Sequence, residues 1–118
     1  ELSEGDCHMK FIKSGNACKA VHMSGPTHNY IELVFSDVPV NDVEISALRL
    51  KADDIKRLDE NEVARQVKAG VEFACQRVAQ KYYVKRIAFV SSDSPPENNY
   101  FALAQAIVER LHHKKEDF

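Results

Sequence analysis

The spacing of apolar residues changes half-way along the chain. In "CHMKFIKSGNACKAVHM" two extended runs flank Gly15-Asn16, a dipeptide suited to a two-residue hairpin turn because both residues tolerate positive φ. In "NYIELVF", Ile31, Leu33 and Phe35 fall on one face, with Tyr30, Glu32 and Val34 on the other. "VEISALRLK" begins with Val43, Ile45 and Ala47 in phase, then moves its large residues to Leu48 and Leu50, which predicts a bulge or bend near Ala47. From Val63 the period becomes helical: Val63, Val67, Val71, Ala74 and Val78 make one stripe. Asp59 and Glu62 form a capping pair at its start. Gly70 inside this helix costs about 1 kcal/mol relative to alanine, which predicts another backbone or bulky side chain packed there. "YVKRIAFV" reads as a buried strand. A last helix is expected from about Pro95 to Leu111, with Tyr100, Ala104, Ile107, Val108 and Leu111 inward.

These elements predict one α+β domain over residues 1–118. Its sheet, mixed or antiparallel, has about five strands, with two helices in the order ββββαβα. A chain of 118 residues is near the modal size of one domain and can bury one modest core. A formal charge of −2 argues against a protein that mainly neutralises phosphates, so no nucleic-acid partner is expected. No apolar run approaches the roughly 18 residues of a membrane span, and nothing reads as a targeting signal. Cys7, Cys18 and Cys75 lack C-x-x-C spacing and read as reduced thiols of an intracellular protein, expected in the cytoplasm and also the nucleus.

Three stretches invite chemistry, and each has a plainer reading. "SSDSPPENNYFALAQ", residues 91–105, puts a hydroxyl-rich turn between a strand and a helix. Ser94, Pro95, Pro96 and Glu97 fit N-cap, N1, N2 and N3, so the turn reads as a helix start. Anion binding would want free amides, whereas two are absent here and a carboxylate occupies the positive end of the dipole. Cys7, His8, Cys18, His22 and His28 lie within 22 residues. A two-residue turn at Gly15-Asn16, however, sets Lys13 opposite Cys18, Met9 opposite His22 and His8 opposite Met23. Cys7 and Cys18 are then roughly 20 Å apart, His8 and His22 project from opposite faces, and no zinc site is expected. Lys81, Lys85 and Arg86, with His112 to Lys115, lack interleaved aromatics and read as solvated surface. No catalytic, cofactor-binding or metal site is assigned, and the pattern points away from an enzyme.

What remains is surface. Val21, Met23, Tyr30 and Val34 point away from the face assigned to the core, and two helices cover only one face of a five-stranded sheet. These four residues are the candidate protein interface; the plainer reading is that the N-terminal segment or a loop covers them. Glu32, on the same face, must sit at its rim or meet a basic partner.

Residues 75–111, "CQRVAQKYYVKRIAFVSSDSPPENNYFALAQAIVERL", carry Gln76-Arg77, Ala79 and Lys81, then Phe89-Val90-Ser91 and Tyr100-Phe101-Ala102-Leu103, and the chain closes on Phe118. In these features it resembles the C-terminal end of the fourth eukaryotic proteasome assembly chaperone. The resemblance implies a small mixed sheet with two helices and no enzymatic activity. It also implies pairing with the third chaperone of the set, docking on an α-type proteasome subunit and assembly of the α-ring of the core particle. The ending Glu116-Asp117-Phe118 lacks the hydrophobic-Tyr-any-residue tail of some such chaperones, so no tail mechanism is implied. The alternative is a small α+β enzyme or ligand-binding domain whose site is assembled from residues distant in sequence.

Overall fold

Gly15 takes φ 62° while Asn16 does not take a positive φ, so the first hairpin closes on a type II′ turn, which places glycine at the first central position. In the computed structural model, which describes residues 8–24, 27–48, 58–91, 93, 99–113 and 118, this turn joins β1 (His8–Ser14) to β2 (Ala17–Ser24). Lys13 lies opposite Cys18, Met9 opposite His22 and His8 opposite Met23, the pairing the two-residue turn dictates. The chain continues through β3 (Thr27–Ser36), β4 (Glu44–Leu48), α1 (Glu60–Val78), β5 (Tyr83–Val90) and α2 (Asn99–His113). The fold is α+β in the order ββββαβα, with one five-stranded mixed sheet.

Spatial order in the sheet is β1-β2-β3-β5-β4. The first three strands form an antiparallel meander, β5 pairs antiparallel with β3, and β4 pairs parallel with β5. A parallel pair requires a crossover connection, and α1 lies within it. β5 therefore sits between two neighbours, and its run from Ile87 to Val90 is buried residue after residue. That is why the segment reads as a short apolar run instead of an alternation.

The irregularity expected near Ala47 is not found there: β4 keeps unbroken register with β5 from Glu44 to Leu48, and Leu50 lies outside the described residues. It falls between β3 and β5 instead. Val34 pairs with Arg86 and Phe35 with Val84, which leaves Lys85 as the extra residue. Strict alternation from Ile87 would send Lys85 to the core and Val84 outward. The bulge reverses this, so Val84 is buried and Lys85 exposed.

Both helices lie on one face of the sheet. Val63, Val67, Val71 and Ala74 of α1 join Leu103, Ala104, Ile107 and Val108 of α2 in one core with Ile31, Leu33, Ile87 and Phe89. Gly70 marks the closest approach of the helices. A Cβ at this position would collide with the Phe101 carbonyl oxygen and lie 3.2 Å from Ala104 Cβ. Asp59 is the N-cap of α1, its carboxylate accepting the Asn61 N–H at 3.3 Å. The expected reciprocal bond from Glu62 does not form. Glu62 instead accepts from Arg65 Nε at 3.0 Å and from Gln66 Nε2 at 2.9 Å, which holds its carboxyl down to about 2. Ala79 ends the helix in the left-handed region, φ 57°, with its N–H on the Cys75 carbonyl. The Ser94 to Glu97 cap expected for α2 lies outside the described residues, as does Cys7.

Candidate interaction surface

Alternation and register together define the two faces of the sheet. Met9 and Phe11 of β1, Cys18 and Ala20 of β2, Ile31 and Leu33 of β3 and Ile87 and Phe89 of β5 meet the helices. The opposite face carries Lys10 and Ile12 from β1, Lys19, Val21 and Met23 from β2, and Tyr30, Glu32 and Val34 from β3. Arg86, Ala88 and Val90 of β5 and Glu44, Ser46 and Leu48 of β4 complete it. The buried residues of both helices belong to the first face, and among the described residues no element packs on the second.

All four residues expected at an interface lie on this outer face. Val21 and Tyr30 are direct cross-strand partners, and Met23 is two residues farther along β2. All three are half-buried. Val34 sits deeper, at 6% exposure, diagonal to a fully buried Ala88, and Val90, farther along β5 toward the Tyr30 end of β3, is 5% exposed. None of these last three belongs to the main core, so they form a small apolar floor of their own. Ile12, 61% exposed on the same face, was missed because it sits between lysines in sequence; its phase opposite Phe11 was the available signal.

Glu32 is not at the rim. β3 is the middle strand, and Glu32 lies between Lys19 of β2 and Ala88 of β5 in register. Its donor comes from within the chain: the Tyr30 hydroxyl donates to Glu32 Oε2 at 2.6 Å. Burial first, and then this carboxylate, raise Tyr30 well above the ordinary tyrosine value. At the β4 side Arg86 lies 3.7 Å from Glu44, so charge gathers around the apolar floor.

The polar stretch after β5 is tied into the fold. Ser91 donates from both its N–H (2.9 Å) and its hydroxyl (3.2 Å) to the Leu48 carbonyl. Asp93 accepts the Tyr30 N–H at 2.8 Å, just where β3 runs past its last pairing with β5 at Ile31. Beneath it, fully buried Asn29 donates to the Tyr100 hydroxyl at 3.0 Å and accepts from Asn99 at 2.8 Å, while Gln66 accepts the Tyr100 N–H at 3.2 Å. One of the orphan amides at the start of α2 is thus met by a side chain of α1.

Among the described residues no three His, Cys, Asp or Glu side chains come together as a metal site. Burial pushes the Cys18 thiol up, partly opposed by Lys13, which suits a core residue and not a nucleophile. Cys75 Sγ accepts the Tyr82 N–H at 3.3 Å on the floor of an open groove of about 430 Å³, lined also by Val40, Val43, Val71 and Lys68. The basic residues near β5 disperse: Arg86 faces Glu44, Lys85 is the bulge residue, and His112 meets the Tyr82 hydroxyl at 3.1 Å. No described helix is long and apolar enough to cross a membrane. No family model, curated protein or solved structure matches the chain.

Proposed function

We propose that the chain is a non-catalytic assembly chaperone that pairs through the outer face of its sheet with a second small chain of similar fold. Its work would be to help assemble the α-ring of the core proteasome, docked on an α-type subunit, in the cytoplasm and the nucleus. One observation carries the pairing: helices cover one face of the sheet, while Ile12, 61% exposed, and half-buried Val21, Met23 and Tyr30 share the other. Stable interfaces are enriched in aromatic residues and methionine, which Tyr30 and Met23 supply, while Glu32 on the middle strand already accepts from the Tyr30 hydroxyl. The proteasome role rests on the resemblance of residues 75–111 to the fourth assembly chaperone.

The decisive substitutions avoid Val34, whose burial would confound binding with folding. Ile12→Asp with Val21→Asp is expected to leave the urea midpoint unchanged and to abolish pairing with the co-expressed third chaperone, read by native mass measurement. Unaltered pairing by a folded double variant would refute the outer face as the interface. Failure of the wild-type chain to bind that chaperone or any α-type subunit would refute the proteasome role.

A further inference from the structure

The sheet has a second unoccupied feature, separate from its outer face. β1 is an edge strand, paired with β2 along its whole length and with nothing else among the described residues. In a hairpin closed by a two-residue turn, the pair flanking the turn exchanges both hydrogen bonds, and such pairs recur at every second residue. Here that pair is Ser14 and Ala17, so Ile12 and Lys10 also bond inward to β2. Met9, Phe11 and Lys13 consequently turn their N–H and C=O groups to the open edge. No described side chain takes them up.

Natural edges are blunted by shortness, proline, bulges, covering elements or lysines. β1 runs seven residues without proline, and its register with β2 is unbroken. Only the lysines remain. Lys10 and Lys13 stand on the edge, Lys19 stands beside Ile12 on β2, and neither strand carries an aspartate or glutamate. A second copy of β1 would bring four lysines onto two adjacent strands. An acidic strand would meet them with opposite charge. Ile12, 61% exposed, adds an apolar contact next to the edge. Phe11, directed to the other face, is already engaged: the Arg110 guanidinium lies 4.5 Å from its ring centroid and the Phe118 ring meets it edge-on at 6.0 Å.

We infer that β1 is a strand-addition site for an extended segment of a partner in which two acidic residues flank a pair of apolar ones, because Lys10 and Lys13 stand three residues apart on opposite faces with Ile12 between them. The backbone groups of Met9, Phe11 and Lys13 supply the main-chain bonds, Lys10 and Lys13 select for acidic side chains, and Ile12 takes an apolar one.

Amide hydrogen exchange of the full chain, read residue by residue by NMR, tests this with two capped extended peptide probes, one built on Glu-Val-Val-Glu and the other on Lys-Val-Val-Lys. The glutamate peptide is expected to slow exchange at Met9, Phe11 and Lys13 while leaving Lys10 and Ile12 unchanged, because those two amides are already bonded. Simple stabilisation of the fold would not produce that alternation. Lys10→Glu with Lys13→Glu is expected to weaken the glutamate peptide about tenfold, the scale of two exposed ion pairs, and to admit the lysine peptide. Exchange at the three amides unmoved by millimolar glutamate peptide, or slowed equally by the lysine peptide, would overturn the inference. So would protection of the same amides by the protein alone as its concentration rises, since a second copy would then be the occupant.

Discussion

Two residues show how closely the helices and the sheet are fitted. Gly70→Ala adds helix propensity of about 1 kcal/mol, yet its methyl meets the Phe101 carbonyl. Overpacking of this kind costs about 1–3 kcal/mol, so a lower urea midpoint is expected despite the better helix former. Tyr100→Phe removes the hydroxyl that accepts from the buried Asn29 amide, a loss of about 1 kcal/mol. The same phenol contributes to alkaline behaviour. Burial, chiefly, raises Tyr100 above its ordinary value of about 10. Above that pH the unfolded chain binds fewer protons than the folded one, so stability falls as pH rises. Urea titrations between pH 9 and 11 should show this decline, and Tyr100→Phe should lessen it, leaving the share of Tyr30, which is raised as well. Gly70 was legible in the sequence because glycine inside a strong helical stripe demands a close neighbour. The bond between Asn29 and Tyr100 was not, because it joins positions 71 residues apart and no local period announces it.

At the scale of elements, hydrophobic period carried most of the reading. Alternation places β3, the stripe places α1, and a two-residue turn fixes the β1–β2 register before any tertiary contact is known. Periodicity failed where a neighbouring strand set the phase. The bulge was expected near Ala47 from β4's own pattern, whereas Lys85 is displaced because β5 must send both Val84 and Ile87 to the core. This makes a testable asymmetry. Deletion of Lys85 lets Val84, Arg86 and Ile87 keep their faces in a regular strand, so a cost on the order of 1 kcal/mol or less is expected. Val84→Lys puts an unpaired charge into the core and should unfold the chain. Circular dichroism and urea midpoints of the two variants check it; equal damage from both would show that the bulge itself is required.

For the whole molecule, the one-sided coverage of the sheet followed from counting two helices against five strands, and the four outer-face residues followed from alternation. The depth of Val34 could not be read that way, because it depends on β5 standing beside β3 and supplying Arg86 and Ala88 as neighbours. Of the two places open to Glu32 the rim is excluded for the same reason: strand order, which sequence does not disclose, makes β3 central and sets Glu32 opposite Lys19. That strand order also governs how the chain can acquire its structure in time. β1, β2 and β3 pair with their sequence neighbours and need only short loops, but β4 finds its partner only after α1, when residues 83–90 arrive and slot between it and β3. Low-contact-order pairing forms early and non-local pairing late. Pulse-labelled amides of the meander should therefore gain protection before those of β4, and a ribosome-bound chain lacking residues 83–90 should hold a three-stranded sheet with β4 still unpaired. Simultaneous protection of all five strands would show instead that the insertion of β5 is the nucleating event.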